Sequence, residues 1–358
     1  MCTNITIKDS NSNVYTGRTN EQWVEAASEI VFMPRKFKSL RGVVGDHTFE
    51  SKYATLLLNE PGFIPNHIFF DGLNEVGLSF QTLYFPGYAE YNLVNATDVD
   101  AEMVDVYMIA HYLVSVCKTV QDVRNEINRL GNKIVGVHNI STEPMHVQFN
   151  DPSGDCIVLE PQEGKLKIKE NPKGILSNSP ALEFHLENLK TYVNLTPIEG
   201  ASDTYFNGNT NAEKLTPHGG GTGLLGLPGD FTPTSRFVRA SFFSEVLETP
   251  KNQETAVLNA FTILNSFDIV PGAVRKIYPQ EMLDNNKMPL FITDNNEVTT
   301  CSCLTCVKDL TNTRYYYKDH KNQNIRVVDF TQFDLDATES KSLLTYDDQV
   351  PKFIEVTL

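Results

Sequence analysis

The feature that most limits the fold lies at the very start of the chain. Asn4-Ile5-Thr6-Ile7 alternates, Asp9-Ser10-Asn11-Ser12-Asn13 is a turn cluster, and Val14-Tyr15-Thr16-Gly17 resumes extended structure, which is the pattern of a β-hairpin. Chain termini normally fray, so a strand that begins at residue 2 implies a terminus held in place by the fold. The residue so held is Cys2. Met1 is expected to be removed, because residue 2 is small, and the α-amine then freed sits on the thiol's own residue. An α-amine titrates near pH ~8, so it can take the thiol proton directly or through one water. Position alone equally allows that Cys2 merely follows the initiator. Arg18, in Gly17-Arg18-Thr19-Asn20-Glu21, falls on the second strand. A tight hairpin brings its guanidinium near Cys2, where it favours a thiolate and orients the acidic residue beside it. The ordinary alternative is a surface salt bridge.

The 358 residues carry a formal net charge of -15, with 41% hydrophobic and 21% charged residues, a globular composition able to bury a large core. Nucleic acid is not an expected partner: polyanion binding needs basic patches, and the densest basic run, Arg35–Lys38, is short. No stretch approaches ~18 consecutive apolar residues, so no transmembrane helix and no membrane association are expected. Residues 1–20 contain no apolar h-region, which points to the cytoplasm, or to the periplasm or secretion if a signal peptide was removed. Six cysteines are scattered along the chain and do not form a small disulfide framework. Cys301-Ser302-Cys303-Leu304-Thr305-Cys306 could suggest a metal or redox site, but structural zinc usually needs two such pairs or nearby histidines, and only His320 is near in sequence. The plainer expectation is three cysteines in or beside a strand, partly buried.

No repeat, low-complexity tract or Pro/Gly-rich linker divides the chain, so residues 1–358 are expected to form one domain. A helix is predicted near Ala101–Cys117. A second follows, with Thr119 as N-cap, Val120, Val123, Ile127 and Leu130 on one face, and Gly131 at its end. Val147–Asn150, Cys156–Glu160 and Leu166–Lys169, separated by turns, read as an antiparallel meander. Leu182, Leu186, Leu189 and Val193 mark another helix, and Arg236–Leu247 and Glu254–Phe267 two more. Strands return at Tyr315–Lys318 and Ile325–Asp329. Strand layers with helices outside make an α+β sandwich.

Several segments together resemble the choloylglycine hydrolase and penicillin V acylase family of N-terminal-nucleophile hydrolases. They are Met1-Cys2-Thr3 with Gly17-Arg18, Phe70-Asp71-Gly72-Leu73-Asn74-Glu75-Val76-Gly77-Leu78, Tyr84-Phe85-Pro86-Gly87-Tyr88-Ala89-Glu90-Tyr91, Asn178-Ser179-Pro180, and Leu227-Pro228-Gly229-Asp230 with Ser235-Arg236-Phe237-Val238-Arg239. These matches run in order along nearly the whole chain. The resemblance implies a four-layer αββα fold, typically as a homotetramer; in the family, the region matching the long Gly- and Asn-rich segment Tyr205–Gly226 reaches a neighbouring subunit. It implies Cys2 as nucleophile, Arg18 supporting the thiolate, Asn178 donating to the oxyanion, where one good donor is worth ~3 kcal/mol, and Arg236 holding the charge network. The blander alternatives are that Asn178 starts a turn and that Arg236 caps a helix.

Two positions depart from the bile salt hydrolase pattern. Glu21 stands where those enzymes have Asp, and Tyr84 where they have Asn. Both match the penicillin V acylase branch, where the tyrosine contributes to the oxyanion region and acyl pocket. Trp23, the single tryptophan, either walls a pocket for a flat or greasy acyl group or belongs to the core. The reaction expected is hydrolysis of a linear non-peptide amide of a small molecule, penicillin V acylase-like or N-acyl homoserine lactone acylase-like, with conjugated bile salts as the alternative substrate. A catalytically silent scaffold is the alternative of another class. No cofactor or metal is expected, because nucleophile and base are built in.

Overall fold

The computed structural model describes residues 1–24, 28–59, 68–141, 143–199, 204–205, 214–215, 218–278, 290–293, 295 and 297–345. Its principal strands are, in chain order, β1 (Cys2–Lys8), β2 (Val14–Gln22), β3 (Glu29–Met33), β4 (Thr55–Asn59), β5 (Asp71–Asn74), β6 (Ser79–Tyr84) and β7 (Met145–Asn150). The remainder are β8 (Cys156–Gln162), β9 (Lys165–Glu170), β10 (Cys301–Asp309), β11 (Arg314–Asp319), β12 (Arg326–Asp329) and β13 (Lys341–Leu344). The helices are α1 (Ile109–Val116), α2 (Val120–Leu130), α3 (Leu182–Asn188), α4 (Pro233–Val246) and α5 (Gln253–Asn265).

Period-two alternation sorts the apolar side chains of these strands onto opposite faces. On β3, Ile30 and Phe32 face one way and Val31 and Met33 the other; on β1, β2 and β10, Ile5, Ile7, Tyr15 and Val307 oppose Val14, Leu304 and Cys306. Three cores result. One joins an eight-stranded sheet, ordered β9-β8-β7-β6-β5-β4-β3-β13, to α1 and α2. A second joins a five-stranded sheet, ordered β1-β2-β10-β11-β12, to α3, α4 and α5. The third lies between the two sheets, where Ile30, Phe32, Leu56 and Leu73 meet Leu304, Cys306 and Tyr315. Three cores separate four layers, so the architecture is the expected αββα sandwich.

The expected hairpin is β1 and β2, and Gly17 lets it pack tightly: a Cβ there would meet the Cys306 carbonyl at 2.8 Å and Leu264 at 2.9 Å. Helix α2 has its expected ends, with Thr119 and Asp122 forming a reciprocal capping box and Gly131 closing it. Two boundaries differ from the sequence reading. The helix expected from Ala101 begins only at Ile109, because Asp100 and Asp105 accept from nearby backbone N–H groups and Val104–Asp105 pair with Ile134–Val135 instead. The helix expected to run to Val193 stops at Asn188 and tightens into a 3₁₀ turn over Leu189–Tyr192, leaving Val193 exposed. The segment expected between residues 205 and 226 falls partly outside the described residues.

Candidate active site

β1 is an edge strand of the five-stranded sheet, and an edge leaves backbone groups unpaired. A bridge closes it: Asn4 N–H donates to the Leu176 carbonyl at 2.7 Å, and Leu176 N–H to the Asn4 carbonyl at 3.2 Å. The bridge is antiparallel, so two residues back along β1 lies opposite two residues beyond Leu176. That places Asn178 beside Cys2, whose N–H donates to Asn178 Oδ1 at 2.9 Å.

On the other edge, β2 pairs Asn20 with Cys2 and Arg18 with Asn4. Arg18 is fully buried. Its Nη2 lies 2.8 Å from Cys2 Sγ and 3.4 Å from Asn20 Oδ1, while Nη1 crosses to the other sheet and donates to the carbonyls of Phe70 (2.8 Å) and Thr82 (2.9 Å). Burial opposes its charge, but the negative charge of Cys2, Asp71 and Cys306 outweighs burial and holds its pKa above the ordinary arginine value.

A second buried guanidinium approaches from α4, where Pro233 opens the helix at N1. Arg236 Nη1 donates to Thr3 Oγ1 at 2.7 Å and to the Cys2 carbonyl, Nη2 to Asn178 Oδ1 at 2.7 Å, and Nε to the Phe231 carbonyl at 2.9 Å. Burial lowers its pKa, against the opposing charge of Glu21. Asn178 is therefore fixed from both ends: two donors converge on Oδ1, and Nδ2 donates to the Tyr84 carbonyl at 2.7 Å, an assignment its partners dictate. Behind it, His185 Nε2 lies 2.8 Å from the Asn178 carbonyl, so that nitrogen carries the proton. Burial lowers the His185 pKa to about 4 and keeps the ring neutral.

Glu21 is buried at the end of β2, opposite Ser302. Among the described residues its carboxylate oxygens have no well-formed hydrogen bond, the Thr19 hydroxyl being a poorly aligned donor to them. Burial raises its pKa, and the charges of Arg236, the N-terminal ammonium and Arg18 pull the other way. The Met1 ammonium donates instead to the Glu21 carbonyl at 2.7 Å.

Cys2 opens onto a cleft enclosing about 580 Å³ of atom-free space. Trp23, Val24, Phe70, Tyr84 and Met145 give it apolar walls, and Met1 lines it as well. Trp23 is thus at the cleft rather than in a core, with Lys276 Nζ stacked 4.7 Å from its ring. Burial and Glu143 raise the pKa of the Tyr84 hydroxyl, which is neutral at physiological pH.

All seven residues singled out in the sequence, namely Cys2, Arg18, Glu21, Trp23, Tyr84, Asn178 and Arg236, therefore gather around one cleft or the network behind it. Sequence reasoning missed Asn20, Thr3 and His185. Asn20 was within reach, since a tight hairpin pairs it with Cys2. Nothing local in sequence signals that His185, on α3, supports Asn178.

The sequence profile of linear amide C–N hydrolases, choloylglycine hydrolase family, matches residues 2–343. The chain belongs to that family. It is thus an enzyme of the linear amide hydrolase class, acting on small-molecule amides. It is 29% identical over 348 residues, 96% of either chain, to the bile salt hydrolase/transferase of Clostridium perfringens. The crystal structure of the C2A mutant of the conjugated bile acid hydrolase from Clostridium perfringens superposes with a TM-score of 0.81 at 26% identity, covering 100% of both chains. Penicillin V acylase from Agrobacterium tumefaciens has the same fold, with a TM-score of 0.71 at 19% identity over 98% of this chain and 94% of that one. No helix among the described residues is long and apolar enough to cross a membrane.

Proposed function

We propose that Cys2, made N-terminal by loss of Met1, is the nucleophile that cleaves an acyl amide. The observation that carries this reading is the pair of contacts at one residue: Arg18 Nη2 at 2.8 Å from Cys2 Sγ, and the Cys2 nitrogen held 2.9 Å from Asn178 Oδ1. Loss of Met1 turns that nitrogen into the α-amine and removes a residue that lines the cleft. The amine takes the thiol proton; sulfur attacks the carbonyl carbon; and the α-ammonium returns the proton to the departing amine, leaving a thioester. Water, activated by the same amine, then releases the acid. Asn178 Nδ2 has two N–H groups: one donates to Tyr84, and the other is available to the oxyanion, a donation supported by the two guanidinium and backbone bonds that fix Oδ1. Arg18 balances the thiolate, Arg236 holds the Cys2 carbonyl and Asn178, and Glu21 is the carboxylate partner of the new ammonium. Residues 1–358 act as one domain, since both sheets draw strands from both ends of the chain.

For the acyl group, Trp23 and Tyr84 favour a phenoxyacetyl group or a linear chain, either of which can lie along an aromatic wall. Conjugated bile salts are the second reading, favoured by the names of the full-length relatives. A homotetramer is supported by Val193 and Ile198, 76% and 73% exposed just before the 205–226 segment, and by Leu225 within it, 83% exposed. Six free cysteines support a cytoplasmic location.

Intact mass of active enzyme should be one methionine below the coded chain, and Cys2→Ser should abolish hydrolysis while leaving circular dichroism unchanged. Fully active protein that retains Met1 would sink the mechanism. Assayed together, penicillin V or a long-chain acyl homoserine lactone should exceed a conjugated bile salt in kcat/KM by at least ~tenfold, or ~1.4 kcal/mol; the reverse order selects the second reading. Light scattering at micromolar concentration should give four chains per particle.

A further inference from the structure

We propose that Cys301, Cys303 and His320 form a binding site for a thiophilic divalent cation, zinc(II) in the first place, behind the wall of the catalytic cleft.

Among the described residues this is the one group of three side chains able to share a metal ion, with its ligand atoms all within 4.8 Å of one another. The backbone builds it. β10 pairs Cys301 with Gln22 and Ser302 with Glu21, but then Leu304 with Asn20, so Cys303 is the extra residue of a β-bulge. Bulges re-aim side chains, and this one sets the Cys303 and Cys301 sulfurs 3.4 Å apart. His320 follows β11. Its backbone N–H donates to the Cys303 carbonyl at 3.1 Å, and Nδ1 lies 3.3 Å from the same oxygen. The imidazole is thereby tethered to the residue whose thiol it faces, an orientation of the kind metal-binding histidines use.

The donor set suits the ion. Zn–S bonds of ~2.3 Å and Zn–N bonds of ~2.0–2.1 Å place tetrahedral ligands between about 3.3 and 3.8 Å apart, within side-chain adjustment of the distances here. Two thiols lose their protons to solvent on binding and the imidazole binds neutral, so two thiolate charges cancel the cation and the buried site carries no net charge. Softness selects Zn(II) over Mg(II) or Ca(II). Cys301 and His320 line a second cleft with Asp268, Ser302 and Lys318, which provides both a way in and room for a water as fourth ligand. The other buried thiols, Cys117, Cys156 and Cys306, lie in no such group among the described residues.

The ion would join the start of β10 and the residue after β11 at the point where β10 meets the end of β2. Trp23 and Val24, the residues that follow that strand, wall the catalytic cleft. The site is thus a clasp for that wall and takes no part in bond cleavage.

The test uses the full chain, reduced and stripped of metal, titrated with cobalt(II) as a spectroscopic stand-in. One equivalent should produce a thiolate-to-cobalt charge-transfer band, bleached by zinc(II), and zinc should raise Tm. The band should vanish in Cys301→Ser and in Cys303→Ser and persist in Cys2→Ala and Cys117→Ala. His320→Gln, at a half-buried position that folding tolerates, should weaken cobalt binding by about tenfold or more, which keeps the test intact if a cysteine variant misfolds. The proposal fails if the wild type gives no band at one equivalent, if the band survives loss of both Cys301 and Cys303, or if it is lost in Cys2→Ala. It fails equally if the reduced chain takes up no cation while air oxidation links Cys301 to Cys303.

Discussion

Two buried ionic regions lie a few residues apart on the same strands and resolve their charge in opposite ways. Toward one end of β10, Lys308 Nζ donates to Asp71 Oδ1 at 2.6 Å and to the Phe80 carbonyl at 3.2 Å, and the Tyr315 hydroxyl donates to the same Asp71 oxygen at 2.8 Å. Both Lys308 and Asp71 are completely buried. Burial lowers the Lys308 pKa and the adjacent carboxylate opposes that shift. Toward the other end, Glu21 is just as buried, yet among the described residues it has no bound cation and only the poorly aligned Thr19 hydroxyl as donor. A charge that is paired where it stands holds two sheets together. Glu21 has no such cation bound to it, and on the mechanism proposed above its partner is the α-ammonium that loss of Met1 would create.

The largest expected effect tests the paired region. Lys308→Met takes from Asp71 its buried cation, leaving only the Tyr315 hydroxyl as donor, and should cost about 3–5 kcal/mol in chemical denaturation. Adding Asp71→Asn should recover much of that loss. If the single variant costs less than about 1 kcal/mol, the pair does not hold the sheets and the contrast with Glu21 collapses. Next in size is His185, the third way of burying a titratable group, as a neutral ring. Its folded pKa is about 4 against an ordinary 6.5, so the unfolded chain binds the proton first as pH falls. Stability should therefore decline from about pH 6.5 to about pH 4, by on the order of 3 kcal/mol, and level off below. His185→Gln should flatten that window; an unchanged slope would assign the titration elsewhere. The smallest effect is the sharpest. Glu21→Gln removes a buried carboxylate lacking a bound cation, so stability should hold or rise by up to about 1 kcal/mol, while kcat/KM falls by about tenfold or more. Loss of stability and activity together would make Glu21 a structural residue like Asp71.

What was legible in the sequence follows the range of the interactions. The β1–β2 hairpin, the Thr119 cap and the meander through β9 are written in local alternation and turn chemistry. Ordered motifs along the chain carried the family and its site residues. Local pattern misread Ala101–Met108, where two aspartates and a short parallel pairing defeat helical spacing. It could not show that Leu176 closes the edge of β1, because that register couples segments 172 residues apart in antiparallel order. For the same reason Cys301, Cys303 and His320 read as strand cysteines with a distant histidine. They do lie in a strand, more fully buried than expected, but the bulge at Cys303 and the return of β11 bring the imidazole to the thiols, and neither can be seen in composition or spacing.

The bridge at Leu176 also has a consequence in time. β1 is synthesised long before the segments that enclose it: before Leu176 can close its outer edge, before Arg236 can grip the Cys2 carbonyl, and before β10 can back its hairpin. Throughout that interval the bond after Met1 is accessible, and in the finished fold the Met1 ammonium is tied to the Glu21 carbonyl. On the mechanism proposed above, removal of Met1 thus has its opportunity while the fold is still incomplete, and the Cys2 thiol acquires its buried arginine only once the chain behind it has been translated.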